Sequence, residues 1–330
     1  MNTLQCQEFL NQPLSVGGRV LRNRVALAPM AGMSDVPMRQ LAWEFGAGHV
    51  VSEMVGSKPQ LWDTGKSRLR RVPVPGVDPQ AVQIAGNDPA VMAQAAAAHV
   101  AEGVEWVDIN FGCPAKKVCR KAAGSALLGQ PDLVGRIVEA VNASVDVPVS
   151  VKLRTGLVPG DDAGRLAAEA AEQAGAVMVV AHARSRACRF VGAVNYEAVA
   201  AIKDSISVPL LVNGDITGLA SAREALNLSG ADGVMIGRAA MGSPWIFQEL
   251  LGAQAPTLEQ AWAVCVRHVE LMHSFYGELD GLRIARKHIA AYLEKFGNPS
   301  AISELVRVAS ASEQLQRLRE LACQESPVAA

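Results

Sequence analysis

The residue with the clearest chemical potential in this sequence is Cys113, which stands in a short loop between a glycine and a proline. The short, largely apolar segment that stops before it at Asn110-Phe111-Gly112 is typical of a buried strand, and the flanking glycine and proline exclude a helix. The thiol is therefore expected in a tight loop at a strand end. Lys116 and Lys117 follow at once, so whatever meets the thiol is expected to be anionic. A buried structural cysteine on a turn is the alternative, which the proline and the paired lysines disfavour.

Short apolar runs that alternate with longer alanine-rich helical segments predict the fold around this cysteine. The runs are almost continuously apolar, as expected for parallel strands covered on both faces. Eight of them predict a (β/α)8 TIM barrel, an α/β fold. An open doubly wound sheet is the alternative, but the segment 28–32 lacks the Gly-rich fingerprint of that fold. The predicted strands are Val25–Ala28, Val50–Ser52, Ala81–Ala85, Val104–Asn110, Val147–Leu153, Val177–His182, Val208–Asn213 and Gly233–Gly237.

The character of the chain changes after about residue 256. Apolar residues recur there at helical spacing without further strand patterns, which predicts a small C-terminal helical bundle. The predicted organisation is an N-terminal extension over 1–20, a catalytic barrel over 21–255, a helical domain over 256–325 and a loose tail over 326–330.

Composition narrows the classes of function. Half of the 330 residues are hydrophobic, which is enough for a large core. The formal net charge of -1 gives no global attraction to nucleic acid, so RNA binding must depend on local basic patches. No secretory leader or membrane-spanning run is expected, and six scattered cysteines suit a reducing, cytoplasmic environment. The cysteine spacing predicts no metal site, and the oligomeric state is not readable.

The predicted strands end in unusually polar residues. In a β/α barrel the reactive groups lie at the carboxyl ends of the strands, so these side chains are expected to share one polar pocket. The loops after the last two strands, 213–215 and 237–239, combine small residues with one cation. Such loops favour a phosphate held by backbone N–H groups. The polar residues of the pocket include Gln83, Asn110, Cys113, Lys152, His182, Asn213, Asp215 and Arg238.

The motifs of the chain resemble one known family. They are Arg22-Asn23-Arg24, Ala28-Pro29-Met30-Ala31-Gly32, Ser52-Glu53-Met54, Gln83-Ile84-Ala85-Gly86, the Cys113 loop, Gly124-Ser125-Ala126-Leu127-Leu128, Asn213-Gly214-Asp215-Ile216 and Met235-Ile236-Gly237-Arg238. From about residue 21 to 245 the pattern resembles the tRNA-dihydrouridine synthases, and it is most similar to the bacterial dihydrouridine synthase B subfamily. One difference is visible at 182–185, which reads His-Ala-Arg-Ser where the family usually has His-Gly-Arg-Thr.

This resemblance implies a reaction and a cofactor. The family reduces the C5–C6 double bond of specific uridines in the tRNA D-loop, with FMN as hydride carrier and NADPH as reductant. Cys113 would protonate the second carbon, and a thiol with an ordinary pKa is protonated at neutral pH. The flavin contacts implied by the resemblance are Pro29, Met30, Ala31, Gln83, Lys152, His182, Asn213, Gly214, Asp215, Gly237 and Arg238.

A tRNA partner requires basic surfaces, because extruding a stacked base costs a few kcal/mol that backbone contacts must supply. Three groups are candidates: one over 66–71, one over 116–121 and one on the predicted bundle. The last group spaces its cations three and four apart, so a common helix face is expected. A solvated helix face is the alternative, above all for 66–71. The predicted substrate contacts are Asn110, Lys116, Lys117, Arg283, Arg286 and Lys287.

Two other functions stay open on the sequence alone. A flavoenzyme of the dihydropyrimidine or dihydroorotate dehydrogenase kind would share the barrel, FMN and a cysteine, but it would not need the basic groups. A non-catalytic RNA-binding barrel would not need Cys113, Lys152 and His182 together at strand ends.

Overall fold

The computed structural model of the chain describes residues 1–58, 64–120 and 122–325, without the side chain of Lys66. The predicted tail at 326–330 and the basic residue Lys121 lie outside the described residues.

Within the described ranges, eleven strands form a two-stranded hairpin and a parallel barrel sheet. Every strand predicted from the apolar runs is present, although several begin one or two residues later. The strands are β1 (Leu14–Val16), β2 (Arg19–Leu21), β3 (Val25–Leu27), β4 (His49–Val50), β5 (Val55–Gly56), β6 (Ala81–Ala85), β7 (Trp106–Asn110), β8 (Val149–Arg154), β9 (Met178–His182), β10 (Leu210–Asn213) and β11 (Gly233–Ile236).

The barrel closes through its second strand position, which is divided in two. β4 pairs with β3, Val51 bridges to Ala81, and β5 pairs with β6. The remaining neighbours run β6-β7-β8-β9-β10-β11-β3, all parallel, so eight positions complete the ring. The (β/α)8 TIM barrel prediction is confirmed.

Helices cover the outside of the barrel and form the C-terminal part of the chain. They are α1 (Thr3–Asn11), α2 (Val36–Glu44), α3 (Gly65–Arg71), α4 (Pro89–Ala101), α5 (Lys116–Cys119), α6 (Pro131–Asn142), α7 (Ala163–Gln173), α8 (Tyr196–Ser205), α9 (Leu219–Ser229), α10 (Ile246–Leu250), α11 (Leu258–Tyr276), α12 (Glu278–Phe296), α13 (Ile302–Leu305) and α14 (Ala311–Glu325). None of the helices in the described ranges is long and apolar enough to cross a membrane.

The N-terminal extension is part of the barrel's packing. Leu14, Val16 and Leu21 of the β1–β2 hairpin are buried in one cluster with Trp106 and Met178. Trp106 and Met178 are the first residues of β7 and β9, so the hairpin covers the amino ends of the strands. With that end closed by apolar side chains, the carboxyl end is the accessible mouth of the barrel.

The four C-terminal helices have a second apolar cluster that includes Trp262, Ile289 and Tyr292. Gly281 is required where α11 and α12 approach, because an added Cβ would lie 2.8 Å from the Cα of His273. The bundle meets the barrel beside α2, where the Tyr276 hydroxyl donates to Asp35 Oδ2 at 3.0 Å.

Candidate active site

The loop that carries Cys113 is fixed at the barrel mouth by hydrogen bonds on both sides. Asn110, the last residue of β7, accepts from the backbone N–H groups of Gly112 at 3.2 Å and Cys113 at 2.9 Å. The carbonyl of Cys113 accepts from the Ser125 hydroxyl at 2.9 Å. An added Cβ at Gly124 would lie 2.8 Å from that carbonyl, and Gly124 has a φ of 63°. A glycine is therefore needed for the loop to close on the thiol.

The thiol itself is half-buried. Burial raises the pKa of Cys113 above its ordinary value, and the Ala115 N–H and the Arg154 guanidinium offset only part of that effect. A raised pKa keeps the thiol protonated at neutral pH. Cys113 can therefore hold a proton at the mouth, as an acid must before it donates.

Below the Cys113 loop, a chain of buried polar groups crosses three neighbouring strands. Asn110 Nδ2 donates to Gln83 Oε1 at 2.8 Å, and Gln83 Nε2 donates to Asp108 Oδ2 at 2.7 Å. The other carboxylate oxygen of Asp108 accepts from Ser150 Oγ at 2.6 Å. Gln83 and Asp108 are 1% and 2% exposed. Sequence reasoning missed Asp108, although its position two residues before Asn110 on β7 places both on one face.

The opposite side of the mouth is cationic. Lys152 of β8 donates from Nζ to Asn213 Oδ1 at 3.1 Å, and Asn213 Nδ2 donates to the Met235 carbonyl at 2.8 Å. Burial, followed by the charge of Arg154, lowers the pKa of Lys152 to about 8, and the Asp108 carboxylate opposes part of this shift. Asn213 therefore orients an ammonium group that is still charged at neutral pH.

Asp215, which follows β10, joins Arg184 after β9 to Arg238 after β11. Its carboxylate accepts from both terminal nitrogens of Arg184 and from Arg238 Nη2 at 2.6 Å. The hydrogen bond from Arg184 is the main reason why the pKa of Asp215 is held below its ordinary value. Two guanidinium groups against one carboxylate leave the loops net positive. Arg184, 3% exposed, was not among the predicted cofactor contacts.

His182 lies at the end of β9 as a neutral ring. Burial, followed by the charges of Lys152, Arg154 and other nearby arginines, lowers its pKa to about 2. Gly214 has a φ of 129°, and an added Cβ there would lie 3.1 Å from the His182 ring. The loop after β10 can therefore lie directly against the imidazole, which as a neutral ring has one nitrogen that can donate and one that can accept.

Ala183, where the chain differs from the usual family pattern, is completely buried. It packs in the core between the strands and the outer helices, and its N–H donates to the Asn213 carbonyl at 2.8 Å. The methyl group is therefore directed into the core and away from the mouth.

The first loop of the barrel lies over the same space. Met30 N donates to Ser34 Oγ at 2.7 Å, and Gly32 N donates to Glu53 Oε2 at 2.5 Å. These two hydrogen bonds fix the predicted segment Pro29–Ala31 at the mouth. An added Cβ at Gly237 would be 3.9 Å from Met30 Sδ and from Asn213 Nδ2. These residues therefore border one open space.

That space fits a phosphate-bearing cofactor. In the part of the chain that the structure describes, the backbone N–H groups of Gly237 and Arg238 have no acceptor. The guanidinium groups of Arg184 and Arg238 lie beside them. Free N–H groups at a turn start and nearby cations are the donors that a phosphate needs. The described residues contain no group of three or more His, Cys, Asp or Glu side chains arranged for a metal ion.

Two of the predicted basic groups differ in how much charge they leave free. Lys116, Lys117 and Arg120 are exposed on and after α5, and none has an ion pair within the described ranges. In the group at 66–71, by contrast, Arg70 pairs with Glu53 at 3.1 Å and Arg71 with Glu102 at 2.7 Å. The group next to Cys113 is therefore the more available to an anion.

The three cations of α12 that were predicted to share one helix face do not all reach the same part of the molecule. Arg286 donates from Nη2 to the Val308 carbonyl at 3.4 Å, toward the end of the bundle. The Nζ of Lys287 lies 2.8 Å from the place that a Cβ at Gly32 would take, so it reaches the barrel mouth. Arg283, which precedes both on α12, is exposed. Only Lys287 is brought close to the other site residues.

Solved structures with a similar fold include an old yellow enzyme and a morphinone reductase. The old yellow enzyme from Trypanosoma cruzi matches with a TM-score of 0.52 and 12% identity, over 77% of this chain and 95% of that one. A morphinone reductase variant matches with a TM-score of 0.53 and 15% identity, over 74% and 91% of the two chains. At such identities these matches support the barrel fold alone.

Sequence relatives are far more similar. The tRNA-dihydrouridine synthase B of Pseudomonas putida is 48% identical over 285 residues, covering 84% of this chain and 85% of that protein. The proteins of that name from Salmonella typhimurium and Escherichia coli are each 46% identical over 316 residues, covering 92% of this chain and 98% of theirs. The family model described as dihydrouridine synthase (Dus) matches residues 26–326. The chain belongs to the dihydrouridine synthase family, whose members are tRNA-modifying oxidoreductases with a TIM-barrel fold.

Proposed function

We propose that this protein reduces the C5–C6 double bond of specific uridines in the tRNA D-loop to 5,6-dihydrouridine, with FMN as hydride carrier and NADPH as reductant. The observation that carries the proposal is the protonated Cys113 thiol, held at the mouth of a barrel whose relatives are named for this reaction. The absence of a membrane-spanning helix among the described residues is compatible with action on cytoplasmic tRNA.

The cationic side of the mouth is suited to hold the flavin. The loops at Gly214 and Gly237, with Arg184 and Arg238, would bind its phosphate, and Lys152 would face an electron-rich ring edge. When bound, FMN supplies the hydride for one carbon of the uracil double bond. A cation at the position of Lys152 favours any negative charge that develops beside it. The other contacts assigned to the flavin are Pro29, Met30, Ala31, Gln83, His182, Asn213 and Asp215.

Cys113 completes the addition by giving its proton to the second carbon. The raised pKa keeps this proton in place until a strongly basic carbon is formed beside it. Asn110 orients the loop through its carbonyl oxygen, and one N–H of its amide is left to meet the uracil. These residues can therefore hold the proton and deliver it.

We assign tRNA binding to cations that form no ion pair within the described ranges. Lys116, Lys117 and Arg120 border the Cys113 loop, and Lys287 approaches the mouth from the bundle. Phosphates bound at these positions would supply the free energy that extrudes the uridine from its stack. A flavoenzyme for a free pyrimidine has no need of such a surface.

The test uses purified protein and unmodified tRNA. We expect yellow protein that releases FMN on denaturation and that forms dihydrouridine in the D-loop when NADPH is added. The comparison substrate is free uridine at the same uracil concentration, which should not react. Colourless protein that takes up no FMN would exclude the flavin assignment. Reduction of free uridine but not of tRNA would favour the small-molecule alternative.

A further inference from the structure

We propose that Asp108 is a positioning residue that, through Gln83 and Asn110, sets the orientation of the Cys113 loop. The inference rests on the proposed function and extends it to a side chain that does not reach the mouth. Asp108 is 2% exposed and lies on β7 two residues before Asn110. It can therefore affect the thiol only through groups between them.

The argument begins with the direction of each hydrogen bond. An ionised carboxylate only accepts, so Gln83 must turn its Nε2 toward Asp108, as it does at 2.7 Å. Gln83 Oε1 then faces Asn110 and accepts from its Nδ2 at 2.8 Å. This leaves Asn110 Oδ1 directed at the N–H groups of Gly112 and Cys113. One carboxylate thus decides the orientation of two amides.

The reverse orientation shows why this matters. The two ends of an amide have nearly the same shape, so only their partners decide which way each one points. If Gln83 turned its oxygen toward position 108, its Nε2 would face Asn110. Asn110 would then turn its own NH2 group toward Cys113 N, and two donors would meet. The loop would lose its two hydrogen bonds to the strand end.

The second carboxylate oxygen of Asp108, Oδ1, also faces a hydrogen-bond donor. Trp106 Nε1 donates to Ser150 Oγ at 2.8 Å, so the hydroxyl proton of Ser150 is free to point at Asp108 Oδ1, 2.6 Å away. Both neighbours of Asp108 therefore present donors, as an ionised carboxylate requires. Burying such a group is costly, and no ion pair with Asp108 occurs among the described residues. A carboxylate in this buried position is explained if the orientation of the loop depends on it.

A second route for Asp108 must be separated from this one. Lys152 is the charged group that acts on Asp108 electrostatically, so loss of the carboxylate could also act through the ammonium. The two routes predict different couplings. An effect through Gln83 disappears once Asn110 is removed, whereas an effect through Lys152 does not.

The experiment is a double-mutant cycle with Asp108→Asn, Asn110→Ala and the combination, measured as the single-turnover rate of dihydrouridine formation in tRNA. Asp108→Asn should lower this rate by about 10- to 100-fold, as expected for misplacement of a reacting group. The double variant should be no slower than Asn110→Ala alone. Flavin content should stay at the wild-type level in all three. If the fold-loss in rate of the double variant equals the product of the two single losses, the proposal is overturned.

The matched control is Asp232→Asn, which makes the same substitution at the amino end of the barrel. Asp232 pairs there with Lys203. Its turnover should equal that of the wild type. If Asp108→Asn does not fold, Gln83→Met removes the hydrogen bonds that link Asp108 to Asn110. Combined with Asn110→Ala, it should give the same non-additive loss. Unchanged turnover in a folded, flavin-loaded Gln83→Met protein would contradict the proposal.

A readout that needs no tRNA separates this proposal from the proposed function. Alkylation of Cys113 by iodoacetamide is followed by peptide mass spectrometry, with the exposed Cys323 as internal reference. The loop released by Asp108→Asn or Gln83→Met should react several-fold faster at Cys113 relative to Cys323. An unchanged ratio would refute the positioning role, even if the wild type proved inactive on tRNA.

Discussion

The two sides of the barrel mouth hold their functional groups by different means. On the β6–β7 side, the amides of Gln83 and Asn110 and the buried Asp108 form one chain of hydrogen bonds below the thiol loop. Arg154 of β8 also donates to the Gly112 carbonyl of this loop at 2.8 Å. On the β8–β11 side, cations predominate and are oriented by Asn213 and Asp215. Hydrogen bonds between amides are directional and suit the placement of a proton, while charges suit the binding of an anionic ligand. The comparison supports the proposal that proton delivery depends on the β6–β7 side and that the phosphate of the flavin is held on the β8–β11 side.

The largest effect is expected when Cys113 is changed to alanine. Loss of a general acid typically costs about 10²- to 10⁴-fold in rate, so turnover on tRNA should fall by that factor. Flavin content, tRNA affinity and reduction of the flavin by NADPH should all remain, because none of them needs a proton on uracil. The measurement is rapid mixing of the reduced protein with tRNA. Cys113→Ser should restore little, since a hydroxyl is a far weaker acid. Oxidation at the wild-type rate would show that Cys113 is structural.

On the cationic side, turnover should depend on pH through the charge of Lys152. Lys152 is charged below its pKa of about 8 and neutral above it, so turnover should fall as pH rises through that value. Lys152→Met should lower the rate at neutral pH by about 10²-fold, as for other groups that stabilise developing charge. In Lys152→Met, the fall in turnover with rising pH should move to the higher pH range in which Cys113 ionises.

The control for this prediction is Lys203→Met, which removes a lysine from an ion pair at the amino end of the barrel. It should retain the wild-type pH profile. A Lys152→Met profile that still declines near pH 8 would assign that titration to another group.

A smaller effect is expected for the cations outside the mouth. Replacing Lys116, Lys117 and Arg120 with alanine should weaken tRNA binding, and it should reduce the slope of log affinity against log salt by about 2, from lost counterion release. The triple variant of Arg283, Arg286 and Lys287 should lose less, because Arg286 is directed at Val308 within the bundle. Filter binding at several salt concentrations measures both slopes. Equal slopes in both variants and the wild type would mean that neither surface contacts phosphate.

The sequence predicts the parts of the site that depend on neighbours along the chain. The thiol loop is set by its own glycine and proline, and the strand ends follow from apolar runs, so Cys113, Lys152 and the loop at 213–215 could be located in advance. The hairpin over 14–21 could not, because strands of three residues leave too short a pattern.

The parts that could not be predicted depend on contacts between distant strands. Asp108 meets Gln83 and Ser150 across 25 and 42 residues of chain, and Arg184 meets Asp215 across 31. On the sequence, Asp108 is only a polar residue inside a strand. Likewise, helical spacing places Arg286 and Lys287 on α12 but does not say which neighbour each one reaches.

The smallest expected effect concerns Ala183, at which the chain departs from the usual glycine. Its methyl is buried in the core behind the mouth, so Ala183→Gly should cost about 1–2 kcal/mol of unfolding free energy, from lost apolar contact and greater freedom of the unfolded chain. Urea denaturation of the flavin-free protein measures this cost. Flavin affinity should not change, because the carbonyl of Asn213 still accepts from the same backbone N–H. Tighter flavin binding by the glycine variant would show that the methyl restricts the cationic side of the mouth after all.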